Sequence, residues 1–392
     1  YTWFGASDDE RLLVWTAIIP TLGSKSSEFI EMISPTLARW LEFFEKSENV
    51  TDDSFLDVCR IILDACTTEK TYLYGGDLAD EAINHPVGWV AKVLIARWHY
   101  RAGDDCGQIH APFLEVFTRL CDLAFPAYRP GRLMLCGQFA WLLRQDPDWS
   151  RTNLLPLFDW TINTPEAPYA WSGFLLTPRA SPEVVQTLKP HLMAASKSYE
   201  SLGDNARQYA AFLTFVIVHS NMDQVDGELL QAYRELPPKA IPASIKELRR
   251  LQTSTGSPQN EFWKHRARLF CEKFLLAQLS HIDSDTSKQL AQLCIDSGEA
   301  FPEAFQLFRS KLETVKEPNG VLKALKEANL CSREARTSLD LMHKILLGTL
   351  WFDVNLCQEC LKQIRDSGTI TEYDSSLQDL QELCRRLTAT EA

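Results

Sequence analysis

Apolar side chains recur three or four residues apart through nearly the whole chain, and this spacing limits what the chain can fold into. An α-helix turns once every about 3.6 residues, so the spacing gathers apolar side chains on one helix face. No segment alternates apolar and polar residues over the length of a strand. The sequence therefore predicts an all-α fold with almost no strand. The clearest stripes are Leu37, Trp40, Leu41 and Phe44; Tyr209, Phe212, Leu213, Val216 and Ile217; Phe301, Phe305, Phe308 and Leu312; and Leu377, Leu380, Cys384 and Leu387.

The predicted helices are of ordinary length, follow one another through short loops, and each has an apolar face to bury. Helices of this kind pack as antiparallel hairpins that stack on their neighbours. We therefore expect stacked antiparallel helix hairpins forming an irregular HEAT/TPR-like superhelix. No strict repeat period is legible, so any repeats are degenerate, and an irregular multi-helix bundle stays open as the alternative.

The length of 392 residues exceeds what a single hydrophobic core serves. Nine of the eleven tryptophans lie in the first 171 residues, and Pro147 interrupts the helical pattern between Asp146 and Arg151. We expect a soft boundary there. It would separate an N-terminal helical region, residues 1–150, from a helical domain, residues 151–392.

Four predicted helix starts share one pattern, a hydroxyl side chain followed by proline. The hydroxyl can cap the helix, and proline in the first turn lacks only an amide hydrogen that this turn leaves unpaired. The pattern predicts helix starts at Ser34-Pro35, Thr164-Pro165, Ser181-Pro182 and Ser257-Pro258.

Charge and composition exclude several classes of protein. A formal net charge of −12 opposes general nucleic-acid binding, which needs a strongly basic face. The longest uncharged stretch, residues 209–222, is shorter than the roughly 20 apolar residues of a membrane span. Eleven scattered cysteines, an odd number in a large chain, fit a reducing compartment, so we expect a cytoplasmic protein. Because the sequence opens with Tyr1, we also expect a piece of a longer protein.

Cys357 and Cys360 form the one C-x-x-C motif of the sequence. No second C-x-x-C and no histidine pair completes a set of four zinc ligands, and no preceding strand offers a thioredoxin-like setting. We favour a structural interpretation over a redox or metal role, with one cysteine packed and the other near the surface.

A second group of potential metal ligands lies in the gap between two predicted helices. Spacing alone is weak evidence here, because helix capping explains the aspartates as well as coordination does. We therefore expect neither a metal nor another cofactor. The group comprises His99, Asp104, Asp105, Cys106 and His110.

The sequence has no glycine-rich phosphate or dinucleotide loop, no G-x-S-x-G elbow and no H-E-x-x-H motif, so we expect no catalytic residues. A basic stretch does occur between Lys239 and Lys273, with eight basic and three acidic side chains, a local charge of +5. Arg and Trp are enriched at interface hot spots, although solvated helix faces look similar. The candidate partner-binding residues are Lys246, Arg249, Arg250, Trp263, Lys264, Arg266 and Arg268.

Several short segments occur in an order that resembles a known family. They are Leu157-Phe158-Asp159-Trp160, Ala170-Trp171-Ser172-Gly173-Phe174-Leu175, Pro178-Arg179-Ala180-Ser181, Leu188-Lys189-Pro190, Ser284 to Ser287, Leu290-Ala291-Gln292-Leu293-Cys294, and Gly298-Glu299-Ala300-Phe301-Pro302-Glu303-Ala304. In this order they resemble the helical domain that follows a sirtuin-like domain in prokaryotic anti-phage defence proteins. The resemblance covers roughly Leu157 to Leu347.

The resemblance implies a role and not a mechanism, because these motifs are structural and contain no catalytic residue. In that family the separate N-terminal sirtuin-like domain looks like an NAD-degrading enzyme. The helical part is thought to recognise a phage component or to restrain the enzyme. This chain contains no part of the sirtuin-like glycine signature.

Three hypotheses follow. The first is a non-catalytic sensor and regulatory module that recognises a phage protein and controls an attached effector enzyme. The alternative is a stand-alone helical-repeat scaffold that binds other proteins. A third, an enzyme whose site is assembled from scattered Cys, His and carboxylate residues, has the least support. Homo-oligomerisation stays open.

Overall fold

The computed structural model describes residues 7–68, 77–103, 109–220, 227–254, 259–280 and 282–391. In these ranges the regular structure is helical and contains no strand, so the predicted all-α class is confirmed. The predicted stripes face the core: Leu41, Leu213, Phe308 and Leu380 are each fully buried. None of the helices described here is both long enough and apolar enough to span a bilayer.

The chain divides into two compact units, Tyr1–Ala206 and Arg207–Ala392. The boundary predicted between Asp146 and Arg151 therefore lies inside the first unit. Pro147 does interrupt one helix, but it occupies the first turn of the next, whose N-terminus Asp146 caps by accepting from the Trp149 amide at 3.0 Å. Trp149 is buried and its indole donates to Thr118 at 2.9 Å, so this segment is core and not a linker.

The first unit contains eleven α-helices and several short 3-10 turns within its described residues. Helices a short distance apart in the sequence pack on one another: α2 on α3, α5 on α7, and α7 on α10. The helices are α1 (Asp8–Leu22), α2 (Ser27–Trp40), α3 (Asp52–Ala65), α4 (Leu78–Asn84), α5 (Pro86–Ala102), α6 (Ala111–Leu120), α7 (Arg129–Gly137), α8 (Phe139–Gln145), α9 (Pro147–Asn153), α10 (Ala167–Leu176) and α11 (Pro182–Lys197).

A close helix contact of the first unit joins α7 and α10. A Cβ atom on Gly173 of α10 would lie only 2.1 Å from the carbonyl oxygen of Leu133 in α7, so glycine is required for this approach. An aromatic contact lies beside it: the rings of Phe158 and Trp171 meet edge to face at 5.3 Å, and the Trp171 indole donates to the Phe158 carbonyl at 3.1 Å. The first two segments of the family resemblance are thus packed against each other.

In the second unit, too, helices a short distance apart in the sequence pack on one another: α14 on α18, α18 on α19 and α20, and α22 on α23 and α24. The helices are α12 (Ala206–His219), α13 (Gly227–Arg234), α14 (Ile241–Ser254), α15 (Gln259–Phe262), α16 (Arg268–Phe270), α17 (Leu276–Gln278), α18 (Ser284–Asp296), α19 (Phe301–Phe308), α20 (Asn319–Glu327), α21 (Leu330–Arg333), α22 (Ala335–Leu346), α23 (Val354–Asp366) and α24 (Ser375–Glu391).

One helix of this unit, residues 259–278, runs from α15 through α17 with two π-helical turns, Trp263–Ala267 and Cys271–Leu275. Buried residues recur in it at intervals of four: Trp263, Ala267, Cys271 and Leu275. Four residues of an α-helix rotate by about 400°, so this spacing would drift by about 40° per repeat. The wider π turns take up the drift and keep all four side chains on the buried side.

The predicted helix starts have mixed outcomes. Ser181 does cap α11, accepting from the Val184 amide at 3.3 Å with Pro182 in the first turn. Ser34-Pro35 was a wrong prediction, because both lie inside α2, where the Ser34 hydroxyl donates to the Ile30 carbonyl at 2.8 Å.

The remaining two predicted helix starts are Thr164-Pro165 and Ser257-Pro258. Thr164 and Pro165 lie in a turn, and α10 begins later, at Ala167, so that prediction is also wrong. The start predicted at residues 257–258 lies outside the described residues.

Candidate interaction surface

Five of the seven predicted partner-binding residues are exposed: Lys246, Arg250, Lys264, Arg266 and Arg268. Lys246 and Arg250 are one helical turn apart on α14, and Lys264 lies in the helix of residues 259–278. Lys246 has no ion-pair partner among the described residues, whereas Arg250 pairs with Glu247 at 2.6 Å. The Lys264 ammonium lies 3.9 Å from Glu261, a solvated pair that contributes little to stability.

Arg249 is used within the fold. Its guanidinium bonds to Asp296 at 2.7 Å and to Gln289 and Gln292 at 2.8 and 2.6 Å, which ties α14 to α18. Burial raises the pKa of the Asp296 carboxyl, and the neighbouring Arg249 charge opposes that shift. Arg249 therefore neutralises a half-buried carboxylate.

Arg266 also has a structural role. Its guanidinium donates to the carbonyl oxygens of Val218 and Ser220, at 3.3 and 2.8 Å, at the C-terminal end of α12. The last carbonyl groups of a helix have no partner within the helix and carry partial negative charge, so a cation is favourable there.

Trp263 is fully buried and is not available to a partner. The first π turn directs its ring inward, and its indole nitrogen lies 3.3 Å from Glu303. Arg268, half-exposed, bonds to the same carboxylate at 2.8 Å and to Glu272 at 2.8 Å. The structure thus separates the predicted set into Lys246, Arg250 and Lys264, which are exposed on their own helices, and Arg249, Trp263, Arg266 and Arg268, which bond to other helices.

Two adjacent apolar side chains of the second unit, which the sequence did not reveal, are strongly exposed. Leu350 is 91% exposed and Trp351 is 60% exposed. They are adjacent in the connection between α22 and α23, and we call them the Leu-Trp tip. Their immediate neighbours, Thr349 and Phe352, are buried, so the tip residues are the exposed pair between them.

The stem of this connection is fixed by hydrogen bonds to the segment before α20. The Val315 amide donates to the Ile345 carbonyl at 2.9 Å, and the Thr314 hydroxyl donates to the Leu347 carbonyl at 2.7 Å. The Thr349 hydroxyl in turn donates to the Val315 carbonyl at 3.0 Å. Because the stem is already ordered, less conformational entropy of this loop is lost when a partner binds.

The far side of the connection is anchored as well. The Asp353 amide donates to the Asn319 side chain at 2.8 Å, and the Asp353 carboxylate caps α23 by accepting from the Leu356 amide at 3.0 Å. Exposed Trp is the residue type most typical of interface hot spots, and burying it removes a large apolar area from water. The Leu-Trp tip is therefore a rigidly mounted apolar contact.

A signal for the tip does exist in the sequence. Gly348, which adopts φ of +90°, ends one helix, and Asp353 caps the next. Apolar residues between a glycine and a capping aspartate lie in a loop and do not belong to the apolar face of a helix. The run from Ile345 to Phe352 is apolar enough to hide this break within a stripe.

Two groups of residues were considered above for a metal or redox role, the group between His99 and His110 and the C-x-x-C motif. His99 and His110 are exposed, and the His99 ring contacts Trp141 edge-on at 5.4 Å; Asp104, Asp105 and Cys106 lie outside the described residues. Where the chain is described, no three His, Cys, Asp or Glu side chains are arranged to hold a metal ion. In the C-x-x-C motif both Cys357 and Cys360 are buried, so placing one near the surface was wrong.

Comparisons of the chain with protein-family models, with curated proteins and with solved structures found no match. The resemblance of residues Leu157–Leu347 to the sirtuin-associated helical domain therefore stays a prediction. In the structure its segments have packing and capping roles: the Ser287 hydroxyl, for example, donates to the Glu313 carbonyl at 2.6 Å and accepts from the Glu313 amide at 2.9 Å.

Proposed function

We propose that this chain is a non-catalytic recognition module that binds a protein partner through the Leu-Trp tip. The observation that carries the proposal is the tip itself, two apolar side chains left in water on a stem fixed by hydrogen bonds. Fully burying a side chain such as Leu contributes about 1.5–3 kcal/mol. A site of this kind binds by contact and desolvation, and needs no reactive group.

The finer proposal concerns the partner. The resemblance of Leu157–Leu347 supports a sensor and regulatory module of a cytoplasmic sirtuin-like, NAD-degrading anti-phage defence protein. In this proposal a phage protein binds the module, and binding shifts the attached effector from its restrained to its active state. Such a shift requires the phage protein to bind the active state more tightly than the restrained one.

A stand-alone protein-binding scaffold is the second candidate. The observation that favours it is the number of separate exposed apolar residues in the first unit, since a scaffold that holds several partners needs several contact points. Leu13 and Met32 are each 69% exposed and Ile162 is 75% exposed.

A cellular experiment tests the proposal. The full-length protein is expressed at equal levels as wild type, as the double variant Leu350→Ser with Trp351→Ser, and as Tyr373→Ser. Tyr373 is a matched control, because it is an aromatic residue 89% exposed on another loop of the same unit. NAD is then measured through a time course of phage infection.

The proposal predicts infection-dependent NAD loss in wild type and in Tyr373→Ser, and none in the double variant. Equal NAD loss in all three proteins would show that the tip is not needed for recognition. Absence of NAD loss from infected wild-type cells would contradict the effector assignment and favour the scaffold.

A further inference from the structure

A surface groove lies between α23 and α24 of the second unit. It has a volume of about 800 Å³, and the buried residues Leu361 and Cys384 contribute to its lining. Along α23 the lining extends from Asn355 to Arg365, a length of about 15 Å at the rise of an α-helix. An extended peptide covers that length with about five residues. The groove is therefore long enough for a short segment of another chain.

Three cationic side chains line this groove. Lys362 and Arg365 lie about one helical turn apart on α23, Arg385 lies on α24, and all three are exposed. One carboxylate, that of Glu359, shares the lining, but it is already paired with Lys326 of α20. The groove thus offers an excess of positive charge in a chain whose net charge is −12.

Two of these cations are not used within the described part of the fold. There, neither the Lys362 nor the Arg365 side chain forms a hydrogen bond or an ion pair, whereas Arg266 binds carbonyl oxygens of another helix. Arg385 pairs with Glu382 of its own helix at 2.9 Å, but both side chains are largely exposed, and such a pair contributes little to stability. All three cations are therefore available to an anionic ligand.

Three amide side chains share the lining with the cations. Asn355 and Gln358 lie on α23, and Gln381 lies on α24. None of the three side chains forms a hydrogen bond with another described residue. A side-chain amide has both donors and an acceptor, so it matches the N–H and C=O groups of a peptide backbone.

We propose that the groove between α23 and α24 binds an acidic peptide segment of a partner protein. The carboxylates of the segment bond to Lys362, Arg365 and Arg385, and the amide side chains of the groove bond to its backbone. The guanidinium groups suit this role because their parallel N–H donors match the two oxygens of a carboxylate. The site does not depend on the recognition role proposed for the Leu-Trp tip.

A nucleic acid fits the groove less well than a peptide. Its backbone carries a phosphate at every nucleotide, whereas the carboxylates of Glu359 and Glu382 interrupt the positive charge here. Phosphate oxygens only accept hydrogen bonds, so the acceptors of the three amides would find no partner on them. The mixture of separated cations and amides therefore favours a peptide with spaced carboxylates.

Fluorescence anisotropy with the whole chain tests the proposal. The probe is a short labelled peptide in which Glu alternates with Gly, because alternate residues of an extended chain point to the same side. The comparison ligands are the same peptide with Gln in place of Glu, a single-stranded oligothymidylate of equal charge, and inorganic phosphate. The Glu peptide is expected to bind, more weakly as salt is added, and the Gln peptide is expected not to bind.

Two double variants locate the binding site. Lys362→Gln with Arg365→Gln removes two cations of the groove and is expected to weaken binding of the Glu peptide about tenfold or more. Arg333→Gln with Lys344→Gln is the matched control, because it removes the same charges from exposed side chains of α21 and α22 that do not line the groove. The control is expected to bind as wild type does, and circular dichroism checks that both variants are folded.

Four results would overturn the proposal. The Glu peptide might fail to bind the wild type, or the two double variants might lose equal affinity for it. Tighter binding of the oligothymidylate than of the Glu peptide would assign the groove to nucleic acid instead. Displacement of the Glu peptide by an equal concentration of inorganic phosphate would assign it to a small anion.

Discussion

At the start of α5 the buried imidazole of His85 replaces the more usual capping hydroxyl. Its Nδ1 accepts a hydrogen bond from the Val87 amide at 3.1 Å, which requires this nitrogen to carry no proton. Burial lowers the pKa of His85 to about 4. The cap is therefore formed by the neutral ring, and charging the ring would destroy it.

The pH dependence of stability follows with a definite sign. The unfolded chain binds a proton at His85 below about pH 6.5, whereas the folded chain does so only near pH 4. The free energy of unfolding therefore falls as pH drops through this window, by about 3 kcal/mol at its lower end. His85→Asn keeps a capping side chain and removes the titration.

Denaturant unfolding of wild type and His85→Asn at pH 7.5 and pH 4 measures this effect. Other titrating groups are common to both proteins and cancel in the difference between them. The variant is expected to gain about 3 kcal/mol on wild type between the two pH values. A difference that does not change with pH would contradict the account of His85.

A buried ion pair gives a second prediction for single residues. Glu166 is 6% exposed and accepts from Arg132 at 2.7 and 3.1 Å and from Arg129 at 2.9 Å. Removing the negative charge leaves the fully buried Arg132 uncompensated, so Glu166→Gln is expected to cost about 3–5 kcal/mol. The matched control is Glu115→Gln, whose exposed pair with Arg60 contributes less than about 1 kcal/mol. Equal losses, measured as free energies of unfolding, would contradict the assignment.

Between elements, the contact of α7 with α10 is limited by backbone approach. A Cβ at Gly173 would meet the Leu133 carbonyl at 2.1 Å, so Gly173→Ala must force the helices apart, at a cost of about 3 kcal/mol or more. Gly23→Ala is the control, because no atom lies within 4 Å of its Cβ position and its φ is −62°. Thermal unfolding is expected to show a large loss for Gly173→Ala and none for Gly23→Ala. Similar melting temperatures for the two variants would show that α7 and α10 do not pack this closely.

Helix boundaries show where local sequence rules reach their limit. Ser181-Pro182 starts a helix as the pattern predicts, but the same pattern at Ser34-Pro35 lies inside α2. The stripe of Ile30, Leu37 and Trp40 continues across Pro35, and its burial outweighs the hydrogen bond that proline removes. A local pattern cannot report burial that depends on distant residues.

For the molecule as a whole, the all-α class was predictable because helical periodicity is a local property of the sequence. The position of the boundary was not, because Pro147 looks the same in a linker as in the first turn of a helix. The exposure of Lys246, Arg250, Lys264, Arg266 and Arg268 agrees with their charge, and their role in partner binding stays a prediction. The burial of Trp263 was not predictable, because it depends on the π turns of residues 259–278.

The Leu-Trp tip marks the same limit for function. Its two residues belong to the apolar run of residues 345–352. A single sequence does not distinguish an apolar side chain in the core from one that is exposed for binding a partner. The structure makes the distinction, since Phe352 is 2% exposed while the adjacent Trp351 is 60% exposed. The central claim is therefore a claim about this tip, that it is the contact surface of a recognition module.

Photo-crosslinking in living cells tests that claim most directly. A photoreactive amino acid replaces Trp351 in one full-length protein and Tyr373 in another, and both are irradiated in infected and uninfected cells. The account predicts one discrete adduct with a phage-encoded protein, from position 351 alone and in infected cells alone. The same adducts from both positions, or none from position 351, would contradict it.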